Sequence, residues 1–107
     1  RFIPVTAVGM LDELLTRSQE EPILLFQHDA ACPISALAYR EMARLRGIIP
    51  LIDVQQAGEV KRAIEARTGV KHESPQVIVL RRGRAVWSAS HYAITCVAVA
   101  AAMREHA

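Results

Sequence analysis

The sequence predicts an α/β fold in which a central mixed sheet of four to five strands is flanked by helices, within one domain over residues 1–107. Three observations lead there. Residues 23–26 and 48–54 are short apolar runs without polar alternation, the pattern of strands covered on both faces in a parallel sheet. Segments of helical periodicity lie before, between and after them. Near residue 77 the pattern changes to two short strands joined by a tight turn, which is an antiparallel hairpin.

A short first strand is expected around residues 2–5. Thr6 stands where it can cap a first helix that carries Val8, Leu11, Leu14 and Leu15 on one face and runs down before Pro22. The strand at 23–26 follows, then a polar stretch from His28 to Ala31. A second helix is expected from Cys32 or Pro33, with Ile34, Leu37, Ala38, Met42 and Leu45 inward and Gly47 as its C-terminal cap. Residues 48–54 read as a strand with Pro50 near its start, where a missing N–H does least harm. The third helix, 58–68, buries Val60, Ala63 and Ile64 and ends at Gly69, which completes a parallel β-α-β unit. Strands at 77–80 and 85–87 flank the turn Arg81-Arg82-Gly83-Arg84. A last helix, 93–104, sets Ile94, Val97, Ala98, Ala101 and Ala102 at helical spacing. The order β-α-β, then α, then β-β-α is that of the thioredoxin fold.

About half of the residues are apolar (51%) and 22% are charged, the balance of a chain that folds around its own core. The formal charge is only +2 and the basic residues are dispersed, so nucleic acid is not an expected partner. Nor is a membrane, because the longest apolar stretch, 96–103, is far shorter than the ~20 residues a crossing needs. Asp12 and Glu13 interrupt the N-terminal apolar residues, unlike a secretory leader; what precedes Arg1 is left open. Two cysteines separated by most of the chain form no disulfide framework, which points to a reducing compartment and a cytoplasmic location.

The residues that carry chemistry are Cys32-Pro33-Ile34-Ser35, where a buried strand hands over to an amphipathic helix. In α/β sheets ligands bind outside the carboxyl ends of the strands. A cysteine there faces unpaired backbone N–H groups and the positive end of the helix dipole, both of which favour thiolate over thiol. Pro33 fits the first helical position, since its φ is preset and its missing N–H would have no partner. Ser35 stands where a C-x-x-C motif has its second cysteine. Its hydroxyl can donate to a thiolate but cannot form a disulfide, so an external thiol must complete the exchange. The alternative is that Cys32 is one more small hydrophobe in the core. A second feature is Glu73-Ser74-Pro75-Gln76 before the hairpin: in this fold Pro75 is expected to be cis and to face the cysteine, leaving the Ser74 main chain to pair with an extended substrate.

These blocks resemble a known family. Phe26-Gln27-His28, Cys32-Pro33-Ile34-Ser35, the run from Thr68 to Gln76, and Trp87-Ser88-Ala89-Ser90-His91 are similar to the monothiol bacilliredoxin-like redox proteins of the bacillithiol system. The resemblance implies removal of bacillithiol, a low-molecular-weight thiol of some bacteria, from S-bacillithiolated proteins. Cys32 would be the nucleophile, with Pro33, Ser35, Ser74 and Pro75 in support. Ser74, Pro75, Glu73 and His28 would meet the substrate. Bacillithiol would be a co-substrate with no bound cofactor, and the partners would be S-thiolated client proteins. The family commonly carries lysine where Gln27 stands and serine where Asp29 stands, so this chain has lost a positive charge and gained a negative one near the thiol, which disfavours the thiolate.

Other residues read as structural. Cys96 falls on an Ala-rich apolar face and is expected to be core packing; a resolving role would need its Cα within ~7 Å of that of Cys32. The spacings of His28, His72 and His91 relative to Cys32 match no common zinc pattern, so no metal is expected. His91 is expected to make local hydrogen bonds, Trp87 to pack on a helix, and Arg81, Arg82 and Arg84 to form a solvated turn. Two further functional classes fit the same fold. One is a non-catalytic module that captures a peptide along the Ser74-Pro75 edge. The other is an iron–sulfur carrier like the monothiol glutaredoxins, against which Pro33 argues because its rigid ring restricts the approach of a cluster.

Overall fold

In the computed structural model, which describes residues 1–107, the strands are β1 (Phe2–Pro4), β2 (Ile23–His28), β3 (Ile49–Asp53), β4 (Gln76–Arg81) and β5 (Arg84–Ser90). The helices are α1 (Val8–Arg17), α2 (Pro33–Met42), α3 (Gly58–Thr68) and α4 (Cys96–Glu105), with a 3-10 turn at His91–Ala93 before the last. The strands form one sheet in the order β1-β3-β2-β4-β5. β1, β3 and β2 run parallel, β4 is antiparallel to β2, and β5 is antiparallel to β4. This is the mixed sheet and element order that the sequence predicts.

The unbroken apolar runs are explained by a sheet buried on both faces. Ile23 and Leu25 of β2 point with Ile78 and Leu80 of β4 into a cluster completed by Leu11 of α1 and by Val60 and Ile64 of α3. Leu24 and Phe26 point the other way with Val77 and Val79, against Ala38 and Met42 of α2 and Val99 and Ala102 of α4. Each Val, Leu, Ile, Phe or Met side chain among them, fully withdrawn from water, contributes ~1.5–3 kcal/mol. The hairpin turn places Arg82 (φ 57) and Gly83 (φ 75) at its corners, a two-residue connection with both corners left-handed.

Several boundaries differ from the sequence expectation, each for a local reason. Thr6 is not the cap of α1: the N-cap is Ala7, and the Thr6 hydroxyl lies 3.6 Å from the Met10 sulfur. α2 ends at Met42, so Gly47 (φ +89) serves the corner before β3 and does not cap the helix. The buried stripe of α2 is Ser35, Ala38 and Met42, which leaves Leu37 outside at 48% exposure. α4 starts at Cys96 and not at 93. Ile94 leaves the helical region (φ −79, ψ 100), and Thr95 caps the helix by accepting the Ala98 N–H at 3.1 Å. The inward face is therefore Val99 and Ala102, while Val97 and Ala101 point to solvent.

β2 also runs two residues beyond 26. Gln27 stays in the strand because its side-chain Nε2 donates to Gln76 Oε1 at 2.9 Å across the β2–β4 pair, and Gln76 Nε2 donates to the Lys71 carbonyl at 2.9 Å. Both side chains are almost wholly buried.

Candidate functional site

Cys32 is the N-cap of α2, in extended backbone (φ −101, ψ 121), and Pro33 takes the first helical position. The thiol is partly exposed and free. Its carbonyl accepts the Ala36 N–H at 3.1 Å and closes the first turn. The sulfur caps no backbone N–H, so the first-turn donors near it are left for other acceptors.

The loop into the helix is built on Asp29. Its carbonyl accepts the Cys32 N–H at 3.0 Å, and its Oδ1 accepts the Ala31 N–H at 3.0 Å, an Asx turn that engages the carboxylate within the loop. The Asp29 N–H donates to Ser35 Oγ at 3.0 Å. Ser35, fully buried at the third helical position, also lies 2.6 Å from His28 Nδ1. The hydroxyl expected to serve the thiolate is thus engaged by His28 and Asp29, which reach it from the strand end and from the loop.

His28 closes β2 on the α2 face of the sheet. Its ring packs against Phe26 (centroids 5.4 Å) and Tyr39 (5.1 Å). Burial in that aromatic setting holds the imidazole below its ordinary 6.5, against the opposing pull of Asp53 and Asp29.

The facing loop comes from β4. The antiparallel register sets Gln76 opposite Gln27, so Pro75, one residue earlier, is level with His28 at the edge where α2 begins. The Ser74–Pro75 peptide is cis. Ser74 Oγ lies 2.7 Å from His72 Nε2, and the Pro75 carbonyl accepts the His91 N–H at 3.1 Å. Glu73 is exposed beside them. His72 is held below 6.5, chiefly by burial and then by Lys61, with Glu65 and Glu73 opposing. The sheet edge therefore gathers Cys32, Pro33, Ser35 and His28 on one side and Ser74 and Pro75 on the other.

The remaining candidates lie elsewhere. The Cys96 N–H donates to Glu41 Oε1 at 2.9 Å. Glu41 is nine residues beyond Cys32, about 13 Å along the α2 axis at 1.5 Å per residue. Cys96 is only half-buried at the start of α4 and not a core residue, and the two thiols are separate. Arg81 at the opposite end of the sheet donates to the carbonyls of Ser18, Gln19 and His106, which makes it a clasp between the hairpin, α1 and the C-terminus. Nowhere do three His, Cys, Asp or Glu side chains converge as metal ligands would. No helix is long and apolar enough to cross a membrane. The sequence reading missed the Gln27–Gln76 pair and the His72–Ser74 contact. A signal existed for the first, since each glutamine borders an apolar run that would otherwise end there.

Comparison with known proteins agrees with this geometry. A family model described as monothiol bacilliredoxin BrxC matches residues 3–99. A solved thioredoxin-fold protein assigned as an oxidoreductase superposes with a TM-score of 0.86 at 27% identity, covering 94% of this chain and 92% of its own. Fasciola hepatica thioredoxin gives 0.76 at 13% identity, covering 97% and 98%. Schistosoma mansoni thioredoxin gives 0.71 at 16% identity, covering 100% and 96%.

Proposed function

The chain belongs to the monothiol bacilliredoxin family and is a redox thiol protein on a thioredoxin fold, and from that premise we propose that it removes bacillithiol from S-bacillithiolated proteins through a mixed disulfide on Cys32. The observation that carries this reading is a partly exposed cysteine at the N-cap of α2 with serine, not cysteine, three residues on.

The Cys32 thiolate attacks the bacillithiol sulfur of the client's mixed disulfide; that S–S bond breaks, and the client leaves as a thiolate that takes a proton from water. Cys32 now carries bacillithiol. Ser35 has no sulfur with which to expel it, and Cys96 is held beside Glu41. A second thiol, free bacillithiol or another reductant, therefore attacks the adduct and restores Cys32 while a disulfide departs. The oxidation state of the pair is conserved in each exchange. Ser74 and Pro75 at the facing edge position the disulfide, and Glu73 and His28 flank it.

The test uses one client protein carrying either a bacillithiol or a glutathione adduct. The native chain is expected to clear the bacillithiol adduct and C32S to leave it in place. Equal clearance by the two chains would overturn the assignment, and equal rates on both adducts would remove the bacillithiol specificity.

A further inference from the structure

The Ser35 hydroxyl is buried and has two hydrogen-bond neighbours, His28 and Asp29, for one hydrogen and two lone pairs. The Asp29 N–H fills one lone pair at 3.0 Å. His28 Nδ1 stands at 2.6 Å, a short contact in which one of the two groups must supply the hydrogen. The hydroxyl has no other protein acceptor in hydrogen-bond contact, so neutral His28 receives the Ser35 hydrogen at Nδ1 and carries its own on Nε2. Cys32 stands one turn back at the N-cap, out of hydrogen-bond contact with that hydroxyl but on the face that the N-cap shares with the third helical position.

We propose that His28 is a positioning residue that governs Cys32 through Ser35: a proton gained at Nδ1 reverses the His28–Ser35 hydrogen bond and releases the Ser35 hydrogen to the Cys32 sulfur. No electrons move. The imidazolium donates from Nδ1 into the free lone pair of Oγ, the O–H rotates away from the ring, and the thiolate accepts it. Protonation of His28 and ionisation of Cys32 therefore favour each other, and Ser35 is a relay as well as the residue standing where a resolving thiol would be. The charged groups facing His28 are Asp53, its register partner on β3, and Asp29 in the loop; Tyr39 packs on the ring from α2. Burial delays protonation, so the coupling acts below pH 6.5.

This inference rests on Cys32 being the nucleophile, but its test needs no bacillithiol. The rate of Cys32 carbamidomethylation, followed by peptide mass mapping from pH 4.5 to 8.5, is expected to fall with acid and then flatten in the native chain. In H28N and in S35A it should continue to fall, leaving both about tenfold slower than native at the acid end, the effect of one charge-assisted hydrogen bond. A native profile without the flattening overturns the proposal. So does flattening that survives in S35A, which would mean that His28 acts through space. Should S35A unfold, 15N NMR of the native chain decides: a neutral His28 protonated on Nε2 is expected, and one protonated on Nδ1 overturns the relay. Failure of the adduct-transfer assay with the pH profile intact would count against the bacillithiol reading alone.

Discussion

Replacing Gln76 by leucine tests the buried amide pair that holds β2 and β4 together beside the proline loop. Gln27 Nε2 donates to Gln76 Oε1 at 2.9 Å, and Gln27 Oε1 already has no partner. In Q76L the whole Gln27 amide is stranded in a position only 1% exposed. A buried polar group without a partner costs ~1–3 kcal/mol, and losing the last bond of this one places Q76L at about 2–3 kcal/mol. The Lys71 carbonyl, released from Gln76 Nε2, belongs to an exposed residue and can turn to water. The double variant Q27L/Q76L removes both amides and should lie within about 1 kcal/mol of the native chain, since replacing both partners by apolar groups of similar shape is nearly neutral. Urea unfolding of the four chains at constant m-value gives the coupling directly. Q76L within about 0.5 kcal/mol of native, or a double variant equal to the sum of the singles, would refute the reasoning.

Four further outcomes follow from particular residues. Gly69 ends α3 at φ +72 with open space around it, so G69A should cost only the left-handed backbone penalty, about 1 kcal/mol in the same unfolding assay. Arg82 holds φ 57 ahead of Gly83, and R82N, which suits that turn better, should gain about 0.5 kcal/mol. His28 and His72 are both held below 6.5 in the folded chain, so the unfolded chain binds more protons there; stability should be full above pH 6.5 and fall as pH drops below it, and H28N/H72N should flatten that slope in a series of denaturant midpoints. C96A should leave the rate of adduct transfer unchanged, measured by client mass against time, because Cys96 sits beside Glu41.

Element order and the location of the thiol were legible in the sequence because both rest on local pattern. The apolar runs at 23–26 and 77–80 announce strands whichever partners they find, and Cys32-Pro33 announces a helix start. What was not legible depends on a partner far along the chain. Gln27 reads as the end of a strand until Gln76, 49 residues later, supplies its hydrogen bond. Ser35 reads as a group for Cys32 because spacing shows the turn they share and not His28, which approaches from the preceding strand. The last helix was misplaced because Ile94 continues the apolar period, whereas a 3-10 turn and the Thr95 cap set the true start and rotate Val97 outward. Gln27, Ser35 and His28 all lie within a few residues of the thiol, where side-chain chemistry overrides periodicity.

The central claim is that sulfur exchange passes through Cys32. Mixing the protein with one equivalent of a bacillithiol-modified client, quenching with acid at intervals and weighing both chains would follow the adduct itself. The account predicts that mass lost by the client reappears on the peptide containing Cys32, one for one, before any free disulfide forms. A client restored to its reduced mass while Cys32 remains unmodified throughout would contradict it.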